Sequence, residues 1–199
     1  MIKSKRYPKF ELFLADLSTR LVALPPEQVD GAIQNALEQC LEYFTIDRLA
    51  LLRLLPDRLR FMVVAIADAS NIYPYPSGTI MSVAIVPWAT KKLIDGEMFS
   101  FRRPDELPPE AYVDKQSFEM FQTLSGTYLP ITALSSKEYC LGITSGDYDR
   151  SFPEKYIPRL RLLGELFVNT FERTKAELAL RESEERLSLA ASAANAGLW

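Results

Sequence analysis

Arg48-Leu49-Ala50-Leu51-Leu52-Arg53-Leu54-Leu55-Pro56-Asp57-Arg58-Leu59-Arg60-Phe61-Met62-Val63-Val64-Ala65-Ile66-Ala67 is the stretch that decides the fold class. Two short apolar runs, 49–55 and 59–67, are rich in Leu, Val and Ile. They flank the turn residues Pro56-Asp57-Arg58, which predicts a β-hairpin. Upstream the period changes. Phe10, Phe13, Leu14, Leu17 and Leu21 recur at spacings of three and four, one apolar stripe on a helix over 9–23. Pro25-Pro26 ends it, because a proline disfavours helix in the residue before it. A second helix starts there, with the stripe Val29, Ile33, Ala36, Leu37, Cys40, Leu41 and Phe44. Cys40 on that stripe reads as a small core residue.

Downstream, 68–79 holds Pro74, Pro76, Gly78 and two tyrosines and reads as a long loop of the kind that covers binding sites. A strand is predicted over 81–86, a helix from Pro87-Trp88 to Ile94 closed by Asp95-Gly96, and a strand over 97–101. A proline-broken connection, 102–109, leads to a helix over 110–124. Two strands, 127–134 and 138–144, follow around Ser135-Ser136-Lys137. From Ser151-Phe152-Pro153 one long helix runs to about Ala190, with Pro158 either in its first turns or kinking it. Leu160, Gly164, Phe167, Phe171, Thr174 and Leu178 alternate spacings of four and three, and Leu180 and Leu187 are seven apart. That rhythm suits a coiled coil with a second copy of the chain. The fold class is therefore α+β: a central antiparallel sheet, terminal helices together on one face, and loops and short helices covering the other.

Composition excludes several chemistries. The 199 residues carry 23 Lys and Arg against 26 Asp and Glu, a net charge of −3, with no histidine and two cysteines. Without histidine there is no Ser-His-Asp or Cys-His apparatus, no phosphoacceptor imidazole and no imidazole ligand for haem or zinc. Two thiols cannot complete a four-cysteine metal site. The weak negative charge argues against a nucleic-acid partner. The basic N-terminus lacks an apolar segment behind it, and no run reaches the roughly 18–20 apolar residues of a membrane helix. A cytoplasmic location, with Cys40 and Cys140 reduced, is the expectation.

With these elements in order, the chain resembles a GAF domain, a small-ligand and protein-docking module of signalling proteins. Asp47-Arg48-Leu49-Ala50-Leu51 is similar to a GAF first strand. Pro87-Trp88, Gly96-Glu97 and Leu107-Pro108-Pro109-Glu110-Ala111 resemble a subgroup found ahead of PAS domains. Ser151-Phe152-Pro153-Glu154 and Arg161-Leu162-Leu163-Gly164-Glu165-Leu166-Phe167 resemble the last GAF helix. Leu180-Arg181-Glu182-Ser183-Glu184-Glu185-Arg186-Leu187, with Ala194-Asn195-Ala196-Gly197-Leu198-Trp199, resembles the opening of a PAS domain. The resemblance implies a tail over 1–8, a GAF domain over 9–174, a signalling helix over 175–190 and the start of a PAS domain over 191–199. It further implies a longer parent, a sensor histidine kinase of a two-component system, whose catalytic domains lie outside this chain. This chain is expected to be no enzyme.

The expected function is a sensory and dimerisation module; the alternatives are a GAF-fold thiol redox enzyme and a structural spacer. The ligand candidates, by the family's usual site between sheet and cover, are Tyr73, Tyr75, Trp88, Phe99, Phe101, Tyr112 and Phe118. The dimer and signalling residues are Leu160, Gly164, Phe167, Phe171, Leu178, Leu180 and Leu187. Lys91-Lys92, Arg102 and Arg103 are candidate anion contacts. Phe101-Arg102-Arg103-Pro104-Asp105-Glu106 fits half of a cyclic-nucleotide signature, but no Asn-Lys pair precedes it. No cofactor is expected; haem, bilin and zinc are set aside, and a small organic ligand is left open.

Overall fold

The computed structural model describes residues 10–69, 75–133, 136–149, 152 and 154–196. Helices α1 (Phe10–Ala23) and α2 (Pro26–Phe44) precede the hairpin β1 (Arg48–Leu54) and β2 (Arg60–Asp68). Then come β3 (Ile80–Ser82), α3 (Pro87–Ile94), β4 (Phe99–Phe101), α4 (Tyr112–Met120), β5 (Ser125–Ala133), β6 (Ser136–Ser145) and α5 (Ile157–Ala196). The sheet is six-stranded and antiparallel throughout, in the order β3-β2-β1-β6-β5-β4.

The pleat sorts each strand between two layers. Leu49, Leu51, Leu129, Ile131, Leu141 and Ile143 turn to one face and pack with Leu21, Ile33, Leu37, Leu160, Leu163 and Phe167 of α1, α2 and α5. Ala50, Leu52 and Val63 turn to the other, beneath Tyr75 and Met81. Alongside them, Phe99, Phe101 and Tyr128 pack under α3 and α4. The predicted layers and antiparallel sheet are thus present.

Two elements are shorter than the sequence pattern indicates. The strand expected over 81–86 pairs only at Ile80–Ser82, and Val83–Ile85 turn as a 3-10 helix that Ser82 opens by accepting from the Ala84 N–H. The helix expected over 110–124 is Tyr112–Met120, preceded by a 3-10 turn at Pro109–Ala111 and ended by Gln122 at φ 54°. Gly96 closes α3 at φ 80°, a left-handed conformation that suits glycine.

Pro130 fits inside β5 because β4 pairs only with Gly126–Tyr128, so on that side no partner needs its missing N–H. Its carbonyl instead accepts from the Arg161 guanidinium at 2.9 Å. Helix α5 is 40 residues long, on the order of 60 Å. Through Thr174 it packs on the domain; residues 175–192 are exposed. The dimer candidates therefore divide. Leu160, Gly164 and Phe167 are buried within one chain and Phe171 packs against the same core, so they belong to the domain interior. Leu178, Leu180 and Leu187 are 45%, 61% and 68% exposed. The heptad rhythm alone cannot separate the two groups, because a helix lying on a sheet and a helix lying on its copy both repeat at about 3.5 residues.

Candidate functional site

On the face opposite α5 a cavity of about 100 Å³ lies between the sheet and its cover. Its floor exists because small residues leave room above the strands. Gly142 of β6 pairs with Tyr128 of β5 on one side and with Ala50 of β1 on the other. A methyl group on Gly142 would sit 3.1 Å from Cε1 of Tyr128, and one on Gly126 3.1 Å from Cε2. The two glycines let the Tyr128 ring lie down across the sheet. Phe99, its cross-strand partner, stacks on it at 4.9 Å and 13°.

The walls are Leu52, Phe61 and Val63 from the strands, and Val86, Leu93 and Phe118 from the cover. At one end Arg48 is 5% exposed. Its Nε and an Nη donate to the two oxygens of Asp68 at 2.6 and 3.3 Å, and its guanidinium lies 4.4 Å from the centroid of the Tyr75 ring. The planar fork meets the carboxylate edge-on with two hydrogen bonds, while the Tyr75 ring covers the face of the guanidinium.

The cover is anchored from a distance. Val86 offers no side-chain cap to α3, and proline at its first position leaves the next N–H groups without a local acceptor. Asp114 of α4, fully buried, supplies one: it accepts from the Trp88 N–H at 3.1 Å and the Ala89 N–H at 2.8 Å. The Ser117 hydroxyl donates to the Ile85 carbonyl beside it. Replacing Asp114 by alanine removes this cap, and an expected loss of about 1–2 kcal/mol is measurable by urea unfolding.

Burial pushes the Asp114 carboxyl above its ordinary range, and the Ala89 and Trp88 N–H groups pull it part of the way back. A folded value above the unfolded one makes this group's contribution complete below about pH 3.9 and declining as pH rises through the folded value. The stability of the native chain relative to Asp114→Asn is therefore expected to fall as pH rises above about 4. A difference that stayed level across that range would contradict this account of the carboxyl.

Of the aromatic candidates, Tyr75 and Phe118 line the cavity. Trp88, Phe99 and Phe101 hold the cover to the sheet, and Tyr112 is 63% exposed on the outer side of α4. Tyr73 lies outside the described residues. The aromatic count missed Arg48, Ala50, Tyr128 and Gly142, whose signal is the pleat: positions 48, 50, 128 and 142 share one face once the register is known. The basic candidates do not form an anion site. Lys91 pairs with Asp95, Lys92 with Glu97, Arg102 with Glu106 and Arg103 with Asp149. Glu106, from the half-signature, also accepts from the Arg102 N–H and so serves its own turn. Both thiols are buried, which pushes Cys40 up to about 12 and Cys140 upward as well, so neither is a thiolate at neutral pH. Among the described residues no group of His, Cys, Asp and Glu is arranged to hold a metal, and no helix is long and apolar enough to cross a membrane.

The fold is shared with solved structures. The chain matches the phycocyanobilin-bound GAF domain from a cyanobacterial phytochrome with a TM-score of 0.69 and 15% identity, over 86% of this chain and 98% of that one. The fold is that of a GAF domain. A GAF domain from the Acinetobacter phosphoenolpyruvate-protein phosphotransferase matches with a TM-score of 0.59 and 12% identity, over 85% of this chain and 97% of that one. The photosensory core module of the Stigmatella aurantiaca phytochrome matches at 0.69 and 13%, over 96% of this chain and 42% of that one. By sequence, no family model and no curated protein matches.

These neighbours correct one expectation. Bilin was set aside on composition, yet GAF domains with phycocyanobilin and phycoerythrobilin bound are among the structures that share this fold. The missing histidine bears on how a bilin is attached or held, not on whether the fold accepts one. Neither cysteine lines the cavity, whose volume is about 100 Å³ in this geometry.

Proposed function

We propose that this GAF-fold chain is a non-catalytic sensory and dimerisation module of a cytoplasmic signal-transduction protein. One observation carries the reading: the cavity and helix α5 grip the same strand from opposite faces. Tyr128 of β5 lies on the cavity floor, while Leu129 and Ile131 pack under α5. Pro130 is held by Arg161, and Ile131 meets Gly164. A ligand that moves Tyr128 moves the strand on which α5 rests. A two-state element touched by both sites is what coupling requires.

The exposed half of α5 is the output. Leu178, Leu180, Leu187 and Leu189 stay uncovered on a helix otherwise laced by Arg181–Glu185 and Glu182–Arg186 pairs. A second copy of the chain covers the face that carries Leu180 and Leu187, seven residues apart, and the helix leads on to a PAS domain and a histidine kinase output in the parent protein. Sedimentation equilibrium tests the dimer. The expected mass is twice that of the chain, reduced towards one chain by Leu180→Glu with Leu187→Glu. A monomer at all concentrations contradicts it.

A further inference from the structure

We propose that the cavity is built for a neutral, single-ring aromatic molecule, a ligand class that rests on the sensory reading above and narrows it. Three features of the lining set the limits. The first is size. Apolar cavities of about 150 Å³ lined by Leu, Ile and Phe take benzene. One of about 100 Å³ is smaller than that, so an unfused single ring is the largest guest it holds whole. Ala50 leaves that space open and a larger side chain there occupies it, while Gly142 lets the Tyr128 ring lie flat beneath it.

The second is the character of the walls. Phe61, Tyr75, Phe118, Phe121 and Tyr128 all line the cavity, with Met81 beside them. Tyr75 and Phe121 already meet edge to face at 5.5 Å and 67°. A planar guest can join these rings in offset or edge contacts, each worth more than the area it buries, and thioether sulfur adds to such contacts. A saturated guest of the same volume gains only the area.

The third is charge. Arg48 is the only charged side chain lining the cavity among the described residues, and Asp68 already balances it through two hydrogen bonds. A carboxylate guest has to compete with Asp68 or leave its own charge unpaired against apolar walls, which is costly. A neutral guest leaves the pair intact. Thr123, Tyr128 and Thr144, which carry both hydroxyls and apolar groups, also line the space, so a phenolic or methyl substituent is compatible.

The test is calorimetry on the whole chain with toluene, phenol, cyclohexane, naphthalene, benzoate and biliverdin. Toluene or phenol is expected to bind at least about tenfold more tightly than cyclohexane, naphthalene or benzoate, a gap of about 1.4 kcal/mol or more. Ala50→Leu, checked for unchanged circular dichroism, is expected to abolish it. The native-chain series stands without the variant should Ala50→Leu misfold. Benzoate, naphthalene or biliverdin binding as tightly as toluene overturns the ligand class, as does no binding of either single-ring probe. Toluene binding that leaves the spacing of the α5 helices unchanged keeps the ligand class and removes the sensory reading. A dimer that answers to another ligand while ignoring toluene does the reverse.

Discussion

Asp68→Ala is expected to cost about 3 kcal/mol of stability, the low end of what breaking a buried ion pair costs, because Asp68 is itself 19% exposed. For a chain of this length that is roughly 6–12 °C in Tm. The loss comes less from the missing attraction than from what remains. Arg48, 6% exposed in its side chain, keeps its charge inside an apolar cavity without the carboxylate 2.6 Å away. Replacing both partners with apolar residues, Arg48→Met with Asp68→Leu, is expected to recover most of the loss, since no charge is then stranded. Chemical unfolding of the two single variants and the double reads the coupling directly. A double variant as unstable as the sum of the singles would show no coupling between the two residues and would contradict this account of the pair.

The second large effect falls on the opposite face. A methyl group at Gly164 would lie 2.6 Å from Cδ1 and 2.9 Å from Cγ1 of Ile131, closer than real side chains come. Gly164→Ala therefore forces α5 off the sheet or Ile131 out of its rotamer, at a cost of about 2 kcal/mol even after the gain in helix propensity. Ile131→Val removes the closest atom. It is expected to cost about 1 kcal/mol alone and almost nothing in the Gly164→Ala background. If Gly164→Ala proves neutral, α5 does not sit on β5 as closely as described, and the proposed route from cavity to helix loses its tightest contact.

The sequence carried the layers because period and punctuation did. The hairpin turn at Pro56-Asp57-Arg58 holds as read, with Asp57 accepting from the Leu59 N–H and from the Arg60 guanidinium. The α2 stripe is buried at Val29, Ile33, Ala36, Leu37 and Cys40. The cavity was far less legible. Aromatic residues in the covering segment drew attention, whereas the space is made by what is absent, the side chains of Gly142 and Ala50. That space is visible only when register brings β1, β5 and β6 together. Likewise the cap on α3 comes from Asp114, more than twenty residues away, where no local pattern announces it. Glycine in the long helix read as one step of a heptad; its reason is the approach of Ile131.

The account stands most directly on whether an occupied cavity moves the exposed helix. Both native cysteines are buried, so a spin label placed at Leu187→Cys, where the native side chain is 68% exposed, reports on that position alone. Pulsed dipolar spectroscopy is expected to give one defined distance between the two chains of a dimer, and a shifted distance when toluene saturates the cavity. No dipolar signal, or a distance unchanged by bound toluene, would contradict the proposal that this domain passes a ligand's presence through α5.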